Sequence, residues 1–393
     1  MKIVFTGGGT GGHFYPIIAV AEAVQKLVAE QRLLAPELYY IAPTPYDQEA
    51  LFANNVQYVA CPAGKLRRYF DLKNVSDIFV TISGVVRAFF ILLKLYPDVV
   101  FSKGGFASVP TVLAANLLRI PVIIHESDSN PGKANLLAAK HAYRIAITFD
   151  SSKAFFPAKV QSKIARTGIP IRSALAMPLG QGTAQELGLD PSVPTIFILG
   201  GSSGSKRINE VVLQGLPEMV EFANVIHQTG KDNFTEVEST AKVILGTSAQ
   251  ANRYRAFPFL TLEAMRAAAG VASLVVSRAG ATSITEISLW HKPSILIPIP
   301  ESISHDQRTN AYAYAHTGAA VVLEEHNMTE HILVSEAKRI LRDQAVWQEM
   351  ANKSMGFAMA DAAATVAQEL IRIGQSHNPT DAMTTAAEVV TPV

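Results

Sequence analysis

Short apolar runs alternate with stretches of helical periodicity along most of this chain. "KIVFT" at 2–6 precedes an apolar-periodic stretch from Pro16 to Leu34. "LYYIA", "DVVFS", "PVIIHE" and "RIAITF" follow, each separated by helix-compatible sequence. The pattern restarts at "TIFILG" and continues through "NVIHQTG", "LVVSRAG" and "SILIPIP". Near-continuous apolar strands alternating with helices predict parallel sheets covered on both faces. The expected fold class is α/β, with two doubly wound domains facing each other across a cleft. The seam is placed in "RTGIPIR" or just after it, giving an N-terminal domain at 1–166 and a C-terminal domain at 167–374, whose last helix is expected to pack back on the N-terminal domain. Residues 375–393 are rich in Thr, Ala and Asn without apolar period, which predicts a disordered tail.

The bulk composition narrows the class. A chain of 393 residues is natural for two domains. A net charge of +1 carries no basic excess, so a nucleic-acid partner is not expected. Cys61 stands alone, which excludes an intramolecular disulfide. Met1-Lys2 leads straight into a strand, so no signal peptide is expected. The segment from Ile78 to Leu95 is about long enough to span a bilayer, but Arg87 and Lys94 interrupt it. A charge in the hydrocarbon centre costs roughly 2.5 kcal/mol or more, which argues against a span.

Three glycine-rich turns carry the chemistry. The first is "TGGGTGGHFYP", where Gly7, Gly9 and Gly12 satisfy G-x-G-x-x-G. The second is "ILGGSSGSKRIN" and the third "VSRAGATSITE". Each puts backbone N–H groups at a helix N-terminus, an arrangement suited to phosphate or diphosphate. None ends in G-K-[ST], so a P-loop is not expected. A dinucleotide enzyme needs an acid after its second strand, but "LYYIA" runs into Pro43-Thr44-Pro45. His13 follows Gly12 at the helix start, where the positive dipole end favours a neutral imidazole. A neutral imidazole can accept a proton, so His13 is a candidate general base; the bland reading is a helix cap.

"GGGTGGHFYP", "HESDSNPG", "TGIPIR", "GGSSGSKRIN", "SRAGATSITEI" and "HDQRTNA" occur in an order that resembles the MurG family. The resemblance covers about residues 1–370. It implies the GT-B architecture and an inverting transfer of GlcNAc from UDP-GlcNAc to the C4 hydroxyl of MurNAc in undecaprenyl-diphospho-MurNAc-pentapeptide. That step converts lipid I to lipid II in peptidoglycan synthesis. On the donor side the resemblance assigns Arg172 and Ser202 to the diphosphate and Glu286 to the ribose. Gln307 and Asn310 are assigned to the sugar hydroxyls, and Arg278 and Gly280 to the loop shaping the nucleotide pocket. The uracil is expected near Phe259 to Leu262. On the acceptor side Thr10, Gly11, Gly12, Lys103, Gly104 and Gly105 are expected to cradle the lipid diphosphate. His13 is the first choice for the base and Glu126 the second.

Three positions depart from the family pattern. Asp128 stands where an amide is usual, Ser203 replaces a glutamine, and Asp306 stands where Gln or His is common. Asp128 therefore adds a charge beside the acceptor site. The resemblance also implies a peripheral protein on the cytoplasmic face of an anionic membrane, with cell-wall synthesis proteins as further partners. Lys65, Arg67, Arg68 and Lys73 precede the apolar stretch and suit such a surface. No cluster has metal-ligand spacing and no Asp-x-Asp is present. No cofactor or bound catalytic metal is expected, with a loosely diphosphate-bound Mg²⁺ left open. The alternatives are a UDP-sugar transferase with another lipid acceptor, a UDP-GlcNAc 2-epimerase, and a non-catalytic UDP-sugar-binding protein.

Overall fold

All strands pair in parallel, so within each sheet every strand ends at the same edge. The computed structural model describes residues 1–65, 73–180, 182–201, 203–300 and 307–376. The expected disordered tail lies outside them, apart from its first residues. The chain divides into two units. One comprises Met1–Arg172 together with Met359 onward, the other Ser173–Ala358.

Unit 1 opens with β1 (Lys2–Thr6), α1 (Gly11–Glu30), β2 (Glu37–Ala42), α2 (Gln48–Ala53) and β3 (Val56–Ala60). It continues through α3 (Lys73–Leu95), β4 (Val99–Ser102), α4 (Val109–Leu117) and β5 (Val122–Glu126). Then come α5 (Lys133–Ala139), β6 (Arg144–Ile147) and β7 (Ile164–Arg166). The sheet order is β3-β2-β1-β4-β5-β6-β7. The order reverses between β1 and β4, which places a crevice beyond the ends of those two strands.

Helix α1 begins at Gly11 rather than at the expected Pro16. Gly7, Gly8 and Gly9 all have positive φ, and Thr10 then adopts extended geometry as N-cap. The Thr10 carbonyl accepts from the His13 and Phe14 amides, each at 3.1 Å, and closes the first turn. Pro16 lies in the second turn, where its missing N–H forgoes one helical hydrogen bond.

Unit 2 begins with two short helices, α6 (Ser173–Ala176) and α7 (Thr183–Glu186). Then follow β8 (Thr195–Leu199), α8 (Lys206–Phe222), β9 (Asn224–Gln228), α9 (Phe234–Leu245) and β10 (Tyr254–Phe257). The chain proceeds through α10 (Leu262–Val271), β11 (Leu274–Arg278), α11 (Ala281–Leu289) and β12 (Ser294–Ile297). It ends with α12 (Arg308–Ala315), β13 (Ala320–Val322), α13 (Glu330–Arg342) and α14 (Gln344–Ser354). The sheet order β10-β9-β8-β11-β12-β13 puts a second reversal between β8 and β11.

Helix α15 (Ala362–Gln375) closes the core of unit 1. Val366, Leu370 and Ile373 share one buried cluster with Ile3, Phe14, Ile17 and Val24. Glu369 accepts from Arg144 Nε of β6 at 3.1 Å. The division between units falls after Arg172, at the end of the "RTGIPIR" stretch that holds the expected seam. The reason lies in "TGIPIR": the buried His125 ring bonds the Gly168 carbonyl at 2.7 Å and ties this stretch to β5.

Beneath the sheet edge of unit 2, His227 is fully buried. Its Nδ1 meets Tyr254 Oη and its Nε2 meets Asn209 Oδ1, both at 3.0 Å. Burial lowers its pKa from the ordinary 6.5 to about 3, because no nearby anion repays desolvation of the charged ring.

Two outcomes are expected. Leu370→Ala should cost about 2–5 kcal/mol of unit 1 stability in urea denaturation, through loss of buried methyls and the cavity left behind. For His227 the unfolded chain binds the extra proton first, so stability is complete above about pH 6.5 and is lost as pH falls toward about 3. Denaturation of wild type should therefore show a steeper acid slope than His227→Gln, by up to ~1.4 kcal/mol per pH unit.

Candidate active site

The first glycine turn of the sequence lies at the β1/β4 reversal. Thr6 pairs with Ser102, so the turn after β1 runs beside "KGGF" after β4. A Cβ on Gly8 would lie 2.6 Å from Tyr40 Oη, so only glycine admits this contact. Tyr40, fully buried, donates to the Gly7 carbonyl at 2.6 Å and fixes the turn from below.

His13 stands in the first turn of α1 and is half-buried. Its Nδ1 lies 2.8 Å from Thr10 Oγ1. When Nδ1–H donates to that hydroxyl, Nε2 keeps its lone pair and is the basic atom. The ring edge faces Gly105, where an added Cβ would lie 3.8 Å from Nε2. Gly11 and Gly12 form the first helical residues beside it, and Gly104 and Gly105 make the facing turn with positive φ. The structure thus brings Thr10, Gly11, Gly12, His13, Gly104 and Gly105 together.

Behind the second turn lies a buried polar cluster. Lys103 is 1 % exposed, and its ammonium donates to Ser127 Oγ. Burial lowers its pKa to about 8, while Glu126 and Asp128 oppose that fall. Glu126 is 3 % exposed. Its carboxylate accepts from the Asp128 amide at 2.9 Å, the Gly132 amide at 3.0 Å and Asn135 Nδ2 at 2.9 Å. Burial and then Asp128 push its pKa up, against those hydrogen bonds and Lys103. Three internal donors fix Glu126 within the 126–132 turn, which it organises. Asp128 is half-buried beside it. Sequence reasoning missed Tyr40, Ser127 and Asn135; the signal was a polar side chain inside or next to an apolar run.

Arg172 closes unit 1. Its guanidinium lies 4.3 Å from the centre of the Tyr15 ring, two residues along α1 from His13. Tyr15 in turn donates to Asp47 Oδ2 at 3.2 Å.

In unit 2 the other two glycine turns lie at the β8/β11 reversal, where Leu199 pairs with Ser277. Ser202 falls outside the described residues, and so does Asp306. Gly204 and Gly230 are at a backbone crossing: a Cβ on Gly204 would lie 1.9 Å from the Thr229 carbonyl. Asn209 Nδ2 donates to that same carbonyl at 3.0 Å. Gln228 donates to the Gly201 carbonyl at 3.1 Å and accepts from the Leu260 amide at 3.1 Å. It therefore links the glycine turn to the segment expected at the uracil, where Phe259 is exposed.

Gly280 is the N-cap of α11, and Gln307 Nε2 would lie 3.7 Å from a Cβ placed there. Glu286 is half-buried on α11, and Asn310 is buried on α12. Arg278 behaves as a brace. Its guanidinium pairs with Glu325 and donates to Ser205 Oγ at 2.7 Å and the Ile297 carbonyl at 3.3 Å. Among the described residues no group of three or more His, Cys, Asp or Glu side chains could hold a metal ion.

Comparison with known proteins matches this arrangement to one family. The glycosyltransferase family 28 N-terminal domain matches residues 3–147, and its C-terminal domain residues 195–366. A UDP-N-acetylglucosamine–N-acetylmuramyl-(pentapeptide) pyrophosphoryl-undecaprenol N-acetylglucosamine transferase of Treponema denticola is 35% identical over 382 residues. The match covers 93% of this chain and 94% of the relative. The crystal structure of Acinetobacter baumannii MurG superposes with a TM-score of 0.70 at 25% identity, covering 94% of this chain and 99% of that one. UDP-GlcNAc 2-epimerase from Neisseria meningitidis, at 13% identity and a TM-score of 0.65 over 95% of this chain and 100% of its own, shares the fold alone. Two Rossmann-like units, glycine turns at both sheet reversals and this identity across nearly the whole chain place the protein in the MurG family of glycosyltransferase family 28, with the GT-B fold.

Proposed function

We propose that this protein transfers GlcNAc from UDP-GlcNAc to the C4 hydroxyl of MurNAc in undecaprenyl-diphospho-MurNAc-pentapeptide, forming lipid II for peptidoglycan synthesis. The observation that carries this reading is the 35% identity to such a transferase across 93% of the chain. The local geometry supports it. In unit 1 a His13 imidazole, oriented by Thr10, stands among glycine turns suited to the acceptor diphosphate. Nε2 removes the hydroxyl proton as the sugar oxygen attacks the anomeric carbon and UDP leaves. In unit 2 the N-termini of α8 and α11 turn their positive dipole ends toward the leaving diphosphate, where negative charge grows. Arg172 adds a guanidinium suited to the same oxygens. Glu286, Gln307 and Asn310 take the ribose and sugar hydroxyls, and Ser202 the diphosphate. Lys103, Gly104, Gly105 and Asp128 belong to the acceptor side, with Lys103 and Asp128 setting its charge from behind. This assignment leaves no step to a resident cofactor or metal.

The reading extends to a membrane surface. Among its described side chains, from Ser76 on, helix α3 buries only a narrow stripe, Gly84, Ala88 and Leu92, at spacing four. Its segment Ser76–Leu95 is long and apolar enough to cross a membrane by length and composition. Phe79, Ile82, Val86, Phe90 and Leu93 are all exposed, and so are Arg87 and Lys94. Apolar side chains flanked by cations suit peripheral attachment to an anionic cytoplasmic leaflet. Lys65 is exposed nearby, whereas Arg67 and Arg68 lie outside the described residues and the Lys73 side chain is not described.

Two measurements test these assignments. With labelled UDP-GlcNAc and a short-chain lipid I analogue, wild type should form lipid II, and His13→Ala should lose roughly 10²–10⁴-fold in kcat with donor affinity intact. Equal rates in both proteins would remove His13 from the base role. In co-sedimentation with anionic vesicles, Phe79→Ser and Phe90→Ser should each weaken binding roughly tenfold. Unchanged binding would detach this face from the membrane.

A further inference from the structure

The turn Glu325–Asn327, between β13 and α13, and its N-cap Glu324 present two adjacent carboxylates that reach different elements of unit 2. Glu324 accepts from Arg308 Nε at 2.6 Å and from Tyr312 Oη at 3.0 Å. Both partners are on α12, the helix that bears Asn310 and follows Gln307. Glu325 instead pairs with Arg278 at the end of β11. Through Arg278 it reaches Ser205, whose hydroxyl caps α8 by accepting from the Ile208 amide at 3.4 Å. A third tie comes from α8 itself: Arg207 Nη2 donates to the Met328 carbonyl at 2.9 Å.

The turn is itself held firmly. Met328 is fully buried in the unit 2 core, and Thr329 caps α13 by accepting from the Ile332 amide at 3.3 Å. The two carboxylates therefore work from a fixed post. Neither ion pair is well placed to add much stability. Arg308 is 63% exposed, and pairs of that kind contribute about 0–1 kcal/mol. The Arg278–Glu325 pair is only 11% and 13% exposed, and the desolvation of such pairs offsets most of their attraction. What they supply is geometry.

We propose that Glu324 and Glu325 are positioning residues for the donor site, with separable duties. Glu324 sets the pose of α12 and so the reading of the sugar. Glu325 sets Arg278 and the α8 cap and so the cradle for the diphosphate. The proposal rests on the donor-side assignment above: unit 2 takes UDP-GlcNAc with the diphosphate at α8 and the sugar at α12.

The test is calorimetric titration of the full chain with UDP and with UDP-GlcNAc, for wild type, Glu324→Gln and Glu325→Gln. Glu324→Gln should weaken UDP-GlcNAc about tenfold and leave UDP unchanged. Glu325→Gln should weaken both by about the same factor, so that their ratio holds. A general loss of structure would not separate the two ligands in this way. Tyr312→Phe and Glu325→Asp keep both arms readable if a glutamine variant misfolds: the first should repeat the sugar-selective loss in milder form, the second the parallel loss. Two variants that shift both ligands alike, or shift neither, would overturn the proposal. Failure of wild type to bind either ligand would instead overturn the donor-side assignment.

Discussion

Parallel pairing makes every strand of a sheet finish at one edge, and in both units each strand beside the reversal runs into a glycine turn or its neighbour. That constraint organises the molecule. A parallel strand must be followed by a crossover, and the crossover helix starts at the same edge, with its first amides unpaired. The sheets therefore concentrate positive dipole ends where the strand order reverses. The side chains that matter most hold those turns in place: Tyr40 under Gly7, Gln228 under Gly201, and Asn209 under the Gly204–Gly230 crossing.

The two units bury polar groups beside these turns by different means. Apart from the Arg278–Glu325 pair at the α8 cap, unit 2 uses a neutral network, with His227 between Asn209 and Tyr254 and its ring uncharged. Unit 1 uses charge. Lys103 lies with Glu126 and Asp128; the cation and the carboxylates offset each other's burial, while Asp128 repels Glu126. His125 accommodates this by remaining neutral, since burial and then the Lys103 charge lower its pKa. Asp128 and Lys103 thus belong to one electrostatic unit.

The fold was largely legible because fully buried parallel strands are continuous apolar runs. The strands that escaped notice lie at sheet edges or are very short. "VQYVA" in β3 is an edge strand in which only Val56 is buried, and "AVV" in β13 has three residues. The glycine turns and His13 were legible for the same local reason: backbone conformation and helix starts are written in neighbouring residues. The tie of "TGIPIR" to β5 through His125 was not, since its partners are 43 residues apart. The bracing of Arg278 by Glu325 was hidden likewise, because sequence spacing says nothing about which side chains meet across a sheet. The three backbone and amide donors that hold Glu126 were hidden for the same reason.

Helix α15 completes the core of unit 1 although all of Ser173–Ala358 separates it from β1 to β7. On a ribosome this sets an order of events. At typical elongation rates, on the order of 10–40 s pass between the emergence of Arg172 and that of Ala362. Throughout that interval the apolar residues of α1 that meet α15 have no cover, and the first sheet is kept from finishing its core. Unit 2 is one uninterrupted stretch and has no such wait. The middle of this chain can therefore finish folding before its beginning does, and the nascent amino-terminal sheet is the part most in need of protection while it waits.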